Sequence, residues 1–250
     1  MQSDNPTAGI LVIGDEILSG RTREGNAHHL AGMLSAMGID LHEIRVVPDD
    51  HDRIVAAIRA MDRTLGGAWD HLFTSGGIGP THDDITADAV ADAFGTALEI
   101  NRDARAVLQA HYDRIGITLN DSRLRMARIP VGATLIDNPI SAAPGFSIGV
   151  THVLAGVPEV FRVMVDAVLP GLAAGRPQVS ENVTIRVGEG EVAAVLADIQ
   201  HEYEDLALGS YPFGDEKGWC TNLVVRGLDP ERVASAMVTL KARLGLNAQD

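Results

Sequence analysis

The chain has 250 residues, 46% of them hydrophobic and 22% charged, which gives room for one large globular domain plus a small one. A net charge of −14 excludes nucleic acid as the default partner, since phosphate contacts along a strand need a positive field. It leaves open a small phosphorylated ligand held by local amides and a metal. A single cysteine, Cys220, excludes an intrachain disulfide and a multi-cysteine metal site. No leading segment has signal-peptide form and no apolar run is long enough to span a bilayer, so a cytoplasmic protein without a membrane partner is expected.

Residues 7–13 are a short apolar run ended by Gly14 and read as a first buried strand. Gly14-Asp15-Glu16-Ile17-Leu18-Ser19-Gly20-Arg21-Thr22 follows, with Asn26 soon after. Acidic residues at the C-terminal end of a strand lie where open α/β sheets place ligands, although a plain polar loop fits the same residues. Residues 27–37 have helical periodicity through Leu30, Met33, Leu34 and Met37, with Gly38 as the stop. His28 and His29 are adjacent on that helix and point to different faces, which makes them poor partners for one metal. Residues 39–47 alternate as a second strand. Pro48-Asp49-Asp50 then leads to a helix over about 52–61, where the two aspartates either cap the helix or join a ligand site.

Residues 71–73 end a third strand and enter Thr74-Ser75-Gly76-Gly77-Ile78-Gly79-Pro80-Thr81-His82-Asp83-Asp84-Ile85-Thr86, which opens a helix over 85–94. Three glycines in four residues let amide N–H groups close on an anion, and the helix start adds unpaired donors. Ser75, Gly76, Gly77, Gly79, Thr81 and Thr86 are the candidate ligand contacts. A branched side chain at Gly77 is expected to block the anion while sparing the fold. Asp83 and Asp84 supply carboxylates, and the stretch holds neither Lys nor Arg. A phosphate beside two carboxylates calls for a bridging divalent cation. The Gly-Lys-Ser/Thr of a P-loop is missing, and His82 stands where a dinucleotide fingerprint needs a third glycine. A tight strand-to-helix turn with Asp84 as the helix cap is the alternative.

Further helices are expected over 104–115 and 120–126, the second carrying Arg123 and Arg125, with Arg128 just beyond. These arginines form either a solvated face or a clamp for a phosphate or a neighbouring subunit. Leu135-Ile136-Asp137-Asn138-Pro139 leads to Ala143-Pro144-Gly145-Phe146. A strand over 152–154 leads to Ala155-Gly156-Val157-Pro158-Glu159 and a helix with Pro158 in its first turn. After a Gly- and Pro-containing linker over 171–177, strands at 183–187, 206–213 and 221–225 and helices at 191–203 and 230–244 make a small β-α-β-β-α unit.

Gly76-Gly77-Ile78-Gly79-Pro80-Thr81-His82-Asp83-Asp84-Ile85-Thr86 resembles the signature of the MoaB/MogA molybdopterin-binding superfamily, and within it the N-terminal part of the CinA (competence/damage-inducible protein A) family. The loop at Gly14-Asp15-Glu16 with Asn26 resembles that family's first motif. Gly209-Ser210-Tyr211-Pro212 is similar to a motif of CinA-like proteins and of the corresponding part of eukaryotic FAD synthase. The resemblance implies a three-layer α/β/α domain over 1–174, followed by a small C-terminal α+β domain over 175–250. It implies ligand contacts at Gly14, Asp15, Glu16, Asn26, Asn138, Pro144, Gly145 and Pro158 besides the glycine loop. It implies catalytic carboxylates at Asp83, Asp84 and Asp49 and metal ligands at Asp83, Asp84 and Glu16. The implied activity is metal-dependent hydrolysis (Mg, Mn, Co or Ni) of a nucleotide pyrophosphate such as ADP-ribose or FAD. The alternative is binding of molybdopterin, a phosphorylated pterin, without hydrolysis. A homo-oligomer is also implied.

Two motifs depart from the family pattern. Ser141-Ala142-Ala143 stands where Gly-Thr usually precedes Ala-Pro-Gly, and Ala155 stands where proline usually follows the leucine. Longer CinA proteins carry a deamidase domain for which these residues have no room, so nicotinamide-nucleotide deamidation is not expected.

Overall fold

Strand β1 (Thr7–Ile13) is buried from Ala8 onward, as a central strand covered on both faces should be. Its side chains alternate, Ile10 and Val12 to one face of the sheet, Leu11 and Ile13 to the other. A four-residue helix α1 (Asp15–Leu18) follows, inside what reads in sequence as a loop. Then come α2 (Asn26–Ala36), β2 (Asp40–Val47), α3 (His51–Met61) and β3 (His71–Ser75). β1 pairs in parallel with both β2 and β3. The chain therefore leaves β1 on one side through α2 and recrosses it through α3 on the opposite face. The computed structural model describes residues 4–216 and 218–246, in two compact units, one of Asn5–Gly175 and one that joins Asp4 to the residues from Arg176 onward.

The first unit continues through α4 (Thr86–Phe94), β4 (Leu98–Ile100), α5 (Arg102–Arg114), α6 (Asp121–Leu124), β5 (Arg128–Pro130), β6 (Thr134–Ile136), β7 (Gly145–Ile148), β8 (Thr151–Leu154) and α7 (Pro158–Val168). The main sheet has the order β2-β1-β3-β8-β7-β6. β8 joins β3 in parallel, while β7 runs antiparallel to β8 and β6. On one face, Leu30 and Leu34 of α2 and Phe161 and Met164 of α7 pack on Phe73 and Leu154. On the other, Ile54, Ile58 and Met61 of α3 and Val90 of α4 pack on Leu72 and Val153. Phe73, Phe146 and Phe161 are fully buried, and each stabilises the fold by about 2–3 kcal/mol relative to exposure. This is the three-layer α/β/α arrangement that the family resemblance implies.

The strands β4 to β7 have only three or four residues each, too short for a periodic pattern. Residues 120–126 do not form one helix; α6 stops at Leu124 and a 3₁₀ turn takes over at Arg125–Ala127. The helix expected from 104 starts earlier, because the Asn101 side chain accepts from the N–H groups of Asp103 and Ala104.

The second unit comprises β9 (Val179–Ile185), α8 (Glu189–Glu202), β10 (Ala207–Asp215), β11 (Gly218–Gly227) and α9 (Pro230–Arg243). Its antiparallel sheet has the order β10-β11-β9, with Leu223 and Val225 packed on Val192, Ile199, Val233 and Leu240. Among the described residues no helix is long and apolar enough to cross a membrane.

Candidate ligand site at the carboxyl ends of the parallel strands

Four strands, β1, β2, β3 and β8, deliver their C-terminal ends to the same edge of the sheet. The order of the sheet reverses around β1, and such a switch point leaves a crevice outside the strand ends. Backbone and side-chain bonds tie the four loops together. Gly14 N–H donates to Val47 O at 3.1 Å, and Gly76 N–H to Leu154 O at 3.1 Å. Asp15 N–H donates to Asp49 Oδ2 at 2.9 Å. Asn26 Nδ2 reaches both Ser75 Oγ at 2.9 Å and Gly156 O at 2.8 Å. Between the loops lies a cavity of about 480 Å³, large enough for a drug-sized ligand. Glu16, Asp49, Asp83 and Asp84 supply its acidic wall, and Ile13, Met126, Val157 and Val160 much of its apolar wall.

The glycine loop forms one side. Gly77 has φ +69°, in the left-handed region that glycine adopts at low cost. A Cβ there would lie 2.1 Å from Thr86 Oγ1. Thr86 is fully buried; its hydroxyl donates to Gly76 O at 3.0 Å and its N–H to Gly77 O at 3.0 Å. Thr86 therefore pins the loop and does not face the cavity, which corrects its expected ligand role. The Gly76 amide, bonded to Leu154, is likewise unavailable to an anion. The N–H groups of Gly77, Ile78 and Gly79 donate to no atom among the described residues, so these are the free donors of the loop. Thr81 is exposed and off the cavity wall, with both its N–H and its hydroxyl donating to Asp84 Oδ2 at 2.8 and 2.6 Å. Nor does Asp84 cap α4; the N-cap position is Ile85, without a side-chain bond. Asp84 instead closes the Thr81–Asp84 turn with one oxygen.

The acidic pair after β2 divides its roles. Asp50 caps α3 by accepting from Arg53 N–H at 2.9 Å. Asp49 turns to the cavity. Burial pushes its carboxyl above the usual carboxylate range, helped by the negative charges of Asp15, Glu16 and Asp83 and opposed by the Asp15 N–H bond. Among the described residues, no three His, Cys, Asp or Glu are gathered closely enough to hold a metal ion. The donors on this wall are nonetheless hard oxygens. Mg²⁺ is commonly held by one or two carboxylates with substrate phosphates and waters completing its shell. Glu16 and Asp83 offer two such carboxylates on this wall, while one oxygen of Asp84 accepts from Thr81.

Another part of the cavity lining is shaped by Asn138, which is 3% exposed. It accepts from Ile140 and Ser141 N–H and donates to Ser141 Oγ and Ala143 O. Asn138 and Ser141 both line the cavity. Other expected contacts fall elsewhere. Gly14 and Asp15 contribute backbone ties and are not part of the cavity wall, and Asn26 and Ser75 hold loops together. Gly145 opens β7, where a Cβ would lie 2.4 Å from Val153 O, so it serves strand packing. Pro144 sits behind the glycine loop beside Arg125 and Met126. Pro158 starts α7 and borders a small recess of about 70 Å³ with Glu16 and Asn26.

The arginines do not form a solvated face. Arg128 pairs with both oxygens of Asp88, Arg123 donates to Thr118 O at 2.7 Å, and Arg125 donates to Asp84 O at 3.3 Å. Arg125 thus brings a positive charge against the back of a loop that has none of its own. Sequence reasoning missed Ser141, Met126 and Val157 as cavity residues. Ser141 was visible only as a departure from a motif, and the two apolar residues carry no local signal.

A family model described as a probable molybdopterin binding domain matches residues 9–174, and one described as FAD synthase, middle domain, matches 177–248. A protein of Caldivirga maquilingensis is 37% identical over 220 residues, covering 84% of this chain and 82% of its own. A CinA-like protein of Geobacter sp. strain M21 is 36% identical over 195 residues, 75% of this chain but 46% of that protein. The crystal structure of CinA from Thermoplasma acidophilum, a protein of unknown function, is similar with a TM-score of 0.60 at 33% identity, covering 68% of this chain and 99% of that one. The chain belongs to the probable molybdopterin binding domain family, among its CinA-like members.

Proposed function

We propose that the cavity binds a nucleotide pyrophosphate, of the ADP-ribose or FAD type, and hydrolyses its phosphoanhydride with the help of a divalent ion. The observation that carries this reading is that free loop amides and a partly buried carboxylate line the same cavity. The amides of Gly77, Ile78 and Gly79 would take phosphoryl oxygens, since neutral donors hold an anion without adding to the charge around it. Asp49, with its raised pKa, is the residue suited to accept a proton from the attacking water. Glu16 and Asp83 would be the one or two carboxylates that hold the ion, with ligand oxygens and water completing its shell; when bound it would supply Lewis-acid polarisation of a phosphoryl oxygen. Asp84, assigned to catalysis in sequence, acts in this reading by positioning the loop. The apolar wall of Ile13, Met126 and Val160 would exclude water around a base or sugar. The match of residues 177–248 to an FAD synthase middle domain supports a nucleotide ligand.

A second reading, binding of a phosphorylated pterin without hydrolysis, is favoured by the description of the family model that matches residues 9–174. Calorimetry with ADP-ribose separates the two. Affinity that rises with added Mg²⁺ or Mn²⁺ and falls with chelator is expected. Absence of any ADP-ribose binding in either condition would favour the pterin reading. Exposed hydrophobics such as Ile100, Val107, Ile115, Ile117 and Val131 are candidates for the surface that the homo-oligomer implied by the resemblance would cover.

A further inference from the structure

The bond directions around Asn138 are fixed by chemistry. The N–H groups of Ile140 and Ser141 can only donate, so the atom they reach is Oδ1. Nδ2 is then the atom facing Ala143 O and Ser141 Oγ, and at 2.6 Å it donates to that hydroxyl oxygen. Ser141 Oγ is therefore an acceptor in this bond, and its own proton is left to point elsewhere. Among the described residues no atom accepts it, while the residue lies on the cavity wall. Asn138 is 3% exposed and engaged on both ends of its amide, so the hydroxyl is held in place from behind. Next to it, Ala142 adopts φ 62°, where a side chain is strained. The turn that presents Ser141 is kept despite that cost, as backbone at ligand sites often is. Ala143, the next residue on this wall, has no hydroxyl to offer.

We propose that Ser141 is an anion-binding residue of this cavity, donating its hydroxyl proton to a phosphoryl oxygen of the same ligand that the Gly77–Gly79 amides would hold. The assignment rests on the pyrophosphate reading above. It gives that ligand donors from two parts of the cavity lining, loop amides in one and a buried-amide-braced hydroxyl in the other.

The test is calorimetry of the full chain with inorganic pyrophosphate in the presence of Mg²⁺. Ser141→Ala should weaken binding by roughly 10- to 100-fold, the range of a hydrogen bond to a charged acceptor. Ser141→Thr keeps a hydroxyl and should bind within a few-fold of wild type. Both variants should melt close to wild type without ligand. If wild type binds pyrophosphate and Ser141→Ala binds equally well, the assignment of Ser141 fails while the pyrophosphate reading stands. If both variants lose affinity and melt early, Ser141 only holds the loop and the proposal is overturned. If wild type binds no pyrophosphate, both readings fall together.

Discussion

Asp49→Asn is expected to lower turnover of a nucleotide pyrophosphate by roughly 10²- to 10⁴-fold, the usual contribution of a positioned proton acceptor. The same change should raise the melting temperature at neutral pH. Asp49 is desolvated and faces Asp15, Glu16 and Asp83, so its folded-state pKa lies above the unfolded one. The stability linked to its protonated form is fully present below the unfolded pKa. That stability is lost as pH rises through the folded pKa, leaving an unfavourable charge at neutral pH. Asparagine removes the charge, and its carbonyl oxygen can still accept from Asp15 N–H. The melting difference between variant and wild type should therefore open as pH rises above about 4 and then level off. Activity and stability moving in opposite directions is the mark of a functional carboxylate. A variant that melts earlier than wild type at neutral pH would show that Asp49 serves the fold.

Gly77→Val is the substitution with the largest expected effect on stability. The left-handed backbone at φ +69° costs a non-glycine residue about 1–2 kcal/mol, and a β-branched one more. The new Cβ would lie 2.1 Å from Thr86 Oγ1, so either the loop shifts or the bond from Thr86 to Gly76 O breaks. Overpacking of this kind costs about 1–3 kcal/mol, and a buried hydroxyl left unpaired about as much again. The total, about 3–8 kcal/mol, corresponds to a melting temperature roughly 10 °C lower or more for a unit of this size. Ligand binding should be lost as well. The sequence suggested that this change would block the anion and spare the fold; the geometry instead predicts that it weakens the fold as well. Glycine here serves both the approach of an anion and the packing of the loop on its own helix. Thermal unfolding of Gly77→Val at a temperature indistinguishable from wild type would refute the geometry of the loop.

The fold was legible where periodicity is long. Strands β1 and β2 and the helices from α2 to α4 declare themselves through runs of eight or more patterned residues, or through a buried apolar strand stopped by glycine. The strands β4 to β7 did not, because pairing across the chain, not local pattern, makes them strands. The glycine loop was legible as a whole, but not the division of labour within it. No sequence rule distinguishes the amide of Gly76, bonded to β8, from that of Gly77, which is free. Nor does one say that Thr86 turns inward to brace the loop while Asp84 turns back to Thr81. Asp49 and Asp50 are neighbours in sequence, yet one caps a helix and the other faces the cavity, because successive side chains at a strand end diverge. The cavity lining around Asn138 was the least legible. Ser141 became meaningful only once the amide of Asn138 fixed the direction of its hydrogen bond.

The central claim is hydrolysis of a phosphoanhydride at this cavity. Its most direct test is incubation of the protein with ADP-ribose and Mn²⁺ in ¹⁸O-labelled water, followed by mass analysis of the products. AMP and ribose 5-phosphate are expected, one of them carrying a single ¹⁸O in its phosphate, formed by wild type and largely lost in Asp49→Asn. ADP-ribose recovered intact at the level of a protein-free control, across Mg²⁺, Mn²⁺, Co²⁺ and Ni²⁺ and with FAD as the alternative substrate, would contradict it.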